Sequence, residues 1–250
     1  MKNIRFLYNN LWDAGTLTYS SAHLNFPASN IRHRWHTKFW RSDTDTAEWL
    51  VLDAGADISC LAIALRNHNY TTAATIKIQG NAADAWGAPA FERTFTINDD
   101  LMIEFFTATR TYRWWRYYLN DAANPDGVLE SGRIFLGGYF SPTMNFNKKY
   151  EYIHEDPSLI MFSEGGQSSS IIRPKYKRLV YTFTDMSAAN VATLKAIYTD
   201  RGMTRDFFIC QDADDRLAKS YYVRFAAPLE IEHIHGDIYF NVTIVLEELR

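Results

Sequence analysis

The sequence predicts a mainly β protein of two domains, the second carrying one α-helix. Three observations carry this. Apolar and polar residues alternate with period two along much of the chain, clusters of Gly, Asn, Asp and Pro separate the alternating runs, and one segment has a helical apolar stripe.

In the first half, residues 49–53, 58–65, 75–79, 102–106, 112–119 and 133–136 read as strands. Ile76 and Ile78 fall on one face, Lys77 and Gln79 on the other. Turn chemistry lies between the runs, at residues 53–55, 79–81, 98–100 and 124–127. The second half opens with a small polar stretch, 163–170, flanked by apolar residues, and then alternates strongly over 176–184. A helix follows at about 187–200. Asp185 or Ser187 can cap it, Val191, Leu194, Ile197 and Tyr198 form its stripe, and Gly202 stops it. Strands resume at 206–210, 217–225 and 236–248. In the last, Ile238, Phe240, Val242, Ile244 and Leu246 share one side. The boundary is placed between Phe140 and Tyr150, giving domains 1–143 and 144–250, with no internal repeat between them.

Composition excludes several classes. With 250 residues and 47% hydrophobic content the chain can build its own core, and disorder is excluded. Lys and Arg number 26 against 29 Asp and Glu, a net charge of −3, so no basic field invites nucleic acid. The longest apolar runs, such as 58–65, are far shorter than the ~20 residues of a membrane helix, and no membrane insertion is expected. Arg5, Asn9, Asn10 and Asp13 break any secretory apolar core, so synthesis and assembly are expected in a cytoplasm. Cys60 and Cys210 sit in apolar runs and are read as buried thiols, not as a disulfide or zinc framework.

Residues 27–31 (Pro-Ala-Ser-Asn-Ile), 40–42 (Trp-Arg-Ser), 48–53 (Glu-Trp-Leu-Val-Leu-Asp), 63–65, 67–69 (Asn-His-Asn), 112–116 (Tyr-Arg-Trp-Trp-Arg) and 132–137 (Gly-Arg-Ile-Phe-Leu-Gly) occur in this order. Over roughly residues 20–140 the pattern resembles discoidin-type (coagulation-factor C-type, galactose-binding-like) domains. The resemblance implies an eight-stranded jelly roll whose loops at one end bind glycans, lipids or proteins, and it implies no catalysis. The cysteine pair of many extracellular members is missing. Residues 170–250 resemble, more loosely, the sandwich-plus-helix domain of distal-tail and tail-tube proteins of tailed bacteriophages. The two resemblances together imply a structural part of a tail tip or baseplate, assembled in the host cytoplasm and resident in the virion. Its partners would be further copies of itself in a ring, other tail proteins and host glycans. The alternative is a carbohydrate-binding module for receptor recognition.

No reaction is read from the residues. His33 and His36, and His233 and His235, lack further ligands at metal spacing, and no His-Glu-x-x-His, Gly-x-Ser-x-Gly or phosphate loop occurs, so no cofactor is expected. Asp212 to Asp215 reads as a solvated turn rather than a paired acid site. Aromatic surface remains. All seven tryptophans lie within the first 115 residues. Trp49 is expected in the core with one of Trp114 and Trp115, because adjacent strand residues point to opposite faces. Stacking a ring on a sugar, with Asn and Asp beside it, is how a shallow site would work. The candidate ligand or subunit contacts are Trp35, His36, Trp40, Asn69, Tyr70, Asp84 and Trp86. Replacing Trp86 or Tyr70 by Ala is expected to weaken glycan binding at unchanged melting temperature.

Overall fold

The computed structural model describes residues 2–99, 101–148, 150–234, 236 and 238–249; His235 and Asp100 of the third turn cluster lie outside them. The protein is mainly β, and the chain divides into two compact units. The first comprises residues 5–140 and 208–220, the second residues 2–4, 141–207 and 221–250. The chain changes unit after residue 140. The units are not contiguous halves, however: 208–220 belongs with the first.

In the first unit the strands are β1 (Arg5–Leu7), β2 (Thr16–Tyr19), β3 (Trp40–Arg41), β4 (Glu48–Arg66), β5 (Thr75–Asn81), β6 (Phe91–Thr94), β7 (Leu101–Asn120), β8 (Glu130–Ser131) and β9 (Ile134–Gly137). The runs expected as two strands each, 49–53 with 58–65 and 102–106 with 112–119, are continuous in β4 and β7. The Asp-Ala-Gly sequence at 53–55 is a bulge, not a turn. The β4–β7 register shifts between Asp53 and Ile58 and again between Cys60 and Ala62, and Gly55 takes φ +77°. A bulge bends and twists a strand without ending it.

The leading half of β4 pairs with β2 and with the trailing half of β7, which continues through β5 to β6. Beyond the bulge, β4 pairs with the leading half of β7 and with β9. All these pairings are antiparallel. Alternate residues Leu50, Leu52, Ile76, Ile78, Trp115, Tyr117 and Leu119 are buried in one cluster with Ile63, Leu65, Met102, Ile134 and Leu136. At Gly80 a Cβ would stand 2.6 Å from the Tyr112 ring, so glycine there lets that ring lie over the strand.

The returning segment is held by a buried carboxylate. Glu104 is 1% exposed and accepts from Arg93 (Nε 3.1 Å, Nη2 2.8 Å), Arg216 (Nη2 2.6 Å) and the Thr96 N–H (3.1 Å). Burial alone would raise its pKa. Hydrogen bonds from Arg216, Arg93 and Thr96, with the Arg216 charge, outweigh burial and hold it below its ordinary value.

The chain's second unit holds β10 (Glu151–Glu155), β11 (Leu159–Phe162), β12 (Ser168–Ile171), β13 (Tyr176–Ser187), α1 (Ala188–Arg201), β15 (Ser220–Phe225), β16 (Glu230–Ile234) and β17 (Tyr239–Glu248), with β14 (Phe207–Cys210) leading back and pairing with β1. Central β17 pairs with β13, β15 and β16, and β13 pairs with β10. Phe240, Val242, Ile244 and Leu246 are buried as their spacing requires, whereas Ile238 precedes the strand and is exposed. Of the two expected caps, Ser187 is the one used: its side chain accepts from the Asn190 N–H, and Gly202 ends α1 at φ +52°. Val191, Leu194 and Ile197 are buried.

Replacing Glu104 with Gln should cost about 2–3 kcal/mol in denaturant unfolding near pH 7, because a buried charged acceptor of three donors is lost. A carboxyl with a lowered folded-state pKa stabilises above its unfolded value, here 4.5, and loses that contribution as pH falls through the folded value. The gap between wild type and variant should therefore shrink below pH 4.5.

Candidate ligand-binding face

The expected contact residues fall in separate places. Trp40 is fully buried and its Nε1 donates to the Ser21 carbonyl (2.9 Å). Tyr70 is buried as well: its hydroxyl bonds Tyr117 Oη at 2.8 Å and Ser131 Oγ, and its ring stacks on His68. Burial drives the Tyr70 pKa up despite those bonds. Both are core residues, so their expected surface role is corrected. An aromatic side chain brings large apolar area, and a buried hydroxyl or N–H needs only one good partner. Asn69 ties loops together. Its Nδ2 donates to Asp126 Oδ2 (3.0 Å) and the Val128 carbonyl (2.9 Å), and its Oδ1 accepts from the Glu130 N–H (2.8 Å).

Trp35 and His36 are exposed and share a cleft with Arg34, Arg66, Asn67 and Arg133. The Asn67 Nδ2 pins this loop by donating to the His36 carbonyl (2.7 Å), and Trp35 lies against His33 at 6.1 Å between centroids. The cleft has no room for even a water-sized sphere, so it is too shallow to enclose a small molecule.

Asp84 and Trp86 are elsewhere, in the loop after β5. Trp86 Nε1 donates to Asp84 Oδ1 (2.6 Å), and Asn81 Nδ2 donates to the Ala85 carbonyl (2.6 Å), fixing the loop on the strand end. The indole lies against Arg116, whose Cζ is 4.8 Å from the Trp86 ring centroid and 5.4 Å from that of Tyr118. Arg116 is on the face of the sheet that points away from the core. Three cross-strand rows make up that face: Trp49–Tyr118–Lys77, Val51–Arg116–Gln79 and Asp53–Trp114–Asn81.

Trp49, Trp86, Trp114 and Tyr118 are all half-buried. Of this set the sequence singled out Trp86 alone; Trp49 was expected in the core, and Trp114 and Tyr118 were not named as contacts. The period-two pattern does carry the signal: Trp49 alternates with the buried Leu50 and Leu52 partners of Tyr117 and Trp115. As expected, only one of the adjacent pair is interior, Trp115 at 0% exposure. From Trp114 to Tyr118 the platform runs ~13 Å along β7.

Polar groups interleave the rings. Arg116 Nε donates to Gln79 Oε1 (2.6 Å), Gln79 Nε2 to Glu92 Oε2 (2.6 Å), and Lys77 Nζ to Glu92 Oε1 (2.8 Å). Arg113 grips Asp53 with two bonds (2.7 and 2.8 Å) and covers Trp114 at 5.3 Å. The Arg113 bond, then the Gly55 N–H, hold the Asp53 pKa down at about 2. Lys77 and Gln79 lower that of Glu92. Burial lowers the Arg116 pKa, with Tyr118, Glu92 and Asp84 opposing. Three cations (Lys77, Arg113, Arg116) thus face three acids (Asp53, Asp84, Glu92), which leaves the platform without net charge.

His233 lies against Phe240. Asp212 is buried, accepts from the Asp214 N–H and lies 3.7 Å from Lys219, so that turn is not fully solvated. Among the described residues no three His, Cys, Asp or Glu side chains converge as a metal site would require. Both cysteines are buried. No helix among the described residues is long and apolar enough to cross a membrane.

No family model matches the chain, and no curated protein matches it. Solved structures similar to it include a chitosan-binding module of a Paenibacillus sp. IK-5 chitosanase/glucanase, at 22% identity over 52% of this chain and 99% of that one, with a TM-score of 0.42. A family 32 carbohydrate-binding module from C. perfringens NanJ, in complex with galactose, is similar at 12% identity over 55% and 99%, with a TM-score of 0.42. A Streptococcus pneumoniae fucose-binding module is similar at 10% identity over 52% and 95%, with a TM-score of 0.43. Nothing in these comparisons supports the bacteriophage-tail setting implied by the sequence resemblance.

The correction at Tyr70 changes what its substitution does. Tyr70→Phe should lower stability by about 1–3 kcal/mol, since two buried hydroxyls lose a partner. Asp84→Ala should leave stability within ~0.5 kcal/mol and raise the mobility of the Trp86 ring, read by ¹⁹F NMR of fluorotryptophan-labelled protein.

Proposed function

We propose that the jelly-roll unit is a non-catalytic carbohydrate-binding module and that its ligand lies on the outer face of the β5–β7–β4 sheet. The observation that carries this is the row of half-buried rings Trp49, Tyr118, Trp86 and Trp114 arranged around Arg116 and interleaved with fixed amide, carboxylate and cationic groups. A sugar ring has an apolar C–H face and polar edges. Indole and phenol rings cover the first, and Asn81, Glu92 and Arg116, the last held by the buried Gln79, supply donors and acceptors for the second.

The rings stand on strands and on a hydrogen-bonded loop, so little order remains to be imposed on binding. Charge balance across the platform favours a neutral glycan over a uronate or sulfated chain.

A glycan array followed by calorimetry tests the proposal. A neutral oligosaccharide should bind the full chain, with Trp86→Ala and Trp114→Ala each weakening it roughly tenfold, about 1.4 kcal/mol, at a nearly unchanged melting temperature. Trp35→Ala should leave the affinity as it is. Full affinity in both platform variants, with loss in the Trp35 variant, would move the site to the other loop and refute the proposal.

A further inference from the structure

Strands β11 and β12 pair only with each other, in the register Leu159↔Ile171 to Phe162↔Ser168. All eight of their residues are exposed. The hairpin is nevertheless well formed. Ser163 and Gln167 close its turn (Ser163 N–H to the Gln167 carbonyl, 2.8 Å), with Gly166 at φ +78°. At its base the Arg173 N–H donates to Ser158 Oγ (3.0 Å), and Lys175 lies 3.1 Å from Asp156.

Its chemistry is unusual for an exposed hairpin. Alternation places Ile160, Phe162 and Ile172 on one face (65%, 74% and 84% exposed) and Leu159, Met161 and Ile171 on the other (45%, 50% and 49%). Between residues 159 and 172 the only charge is Glu164, in the turn. Open edges are ordinarily guarded by Lys, Pro or a bulge, and a lone two-stranded ribbon is marginally stable in water.

We infer that the 159–172 hairpin is a self-association element that packs against the same hairpin of a second copy of this chain. Three arguments select a copy. An apolar element this exposed needs a cover from the moment of folding, and another copy is the partner always made alongside it. The near-absence of charge lets the surface meet itself without like-charge repulsion. Covering the more exposed face, Ile160, Phe162 and Ile172, would remove on the order of 450 Å² of apolar side-chain surface per copy, taking ~200 Å² per large side chain, over half of the ~800 Å² each partner gives a standard interface.

Light scattering coupled to size exclusion, on the full chain from about 1 to 100 μM, should return a multiple of the 28.9 kDa chain mass. The Ile160→Lys, Phe162→Lys double variant should run as a monomer with unchanged circular dichroism and melting of the rest of the protein. Both native cysteines are buried, so Ser170→Cys places an accessible thiol on the more exposed face. Mild oxidation should then give a dimer on a non-reducing gel. A wild type that stays monomeric throughout, an unchanged assembly in the double variant, or no crosslink at residue 170 would each overturn the inference. Glycan binding by the double variant should equal wild type, which keeps this outcome separate from that of the binding proposal.

Discussion

The first unit depends on one constraint: β4 and β7 must stay paired while both bend. Their ladder runs from Glu48–Leu119 to Arg66–Leu101, and its interruption at residues 54–57 is a bulge with Gly55 in the left-handed region. A continuous pair that bends over its own core leaves no turn to be closed and fixes which face of each strand looks inward. A slip of one residue would exchange the faces, sending Leu50, Leu52, Trp115 and Tyr117 to solvent. Burial of these large side chains thus sets the register, and the register sets the outer rows.

That coupling explains how so many aromatic rings can face solvent without unsettling the fold. Trp49 and Tyr118 oppose each other across β4 and β7, and Trp114 is four residues from Tyr118 on the same face. Their backbones are already committed to the ladder. Trp86 differs, because it comes from a loop. Three contacts take the place of a strand for it: the Asp84 bond to Nε1, the Asn81 bond to the Ala85 carbonyl, and the Arg116 guanidinium against its ring. Arg116 is fixed in turn by Gln79, itself held by Glu92, and Lys77 completes the chain. A polar network of this kind keeps a side chain in one place when each member is satisfied.

Much of the architecture was legible in the sequence because burial imposes period two. The β13 and β17 segments could be read in this way, and capping chemistry marked the Gly202 stop of α1 and narrowed its cap to Asp185 or Ser187. The continuity of β4 and β7 could not, since Asp-Ala-Gly has the same chemistry in a bulge as in a turn. Nor could the return of 208–220 to the first unit. In that return β14 pairs with β1 and Arg216 meets Glu104 across more than a hundred residues, and no local pattern encodes such pairings. At the site, sequence position distinguished Trp86 as a loop indole but misjudged Tyr70. Asn67-His-Asn-Tyr has the composition of an exposed loop, whereas Tyr70 turns inward to the hydroxyls of Tyr117 and Ser131.

The two aromatic or apolar surfaces are built on opposite principles, and that contrast bears on what each can hold. On the sheet face polar and charged groups interleave the rings, so a ligand there would have to satisfy edges as well as faces. As a binding face it would discriminate, because a partner lacking hydroxyls would desolvate Glu92 and Arg116 without replacing their contacts. The 159–172 hairpin has no comparable polar frame: Ser168, Ser169 and Ser170 are its only polar strand residues. It can satisfy a partner by shape and backbone pairing alone, and an identical strand pair offers both. The proposed selectivity for a ligand and the inferred adhesion to a copy rest on one condition, whether polar groups are met, applied to two surfaces of one chain.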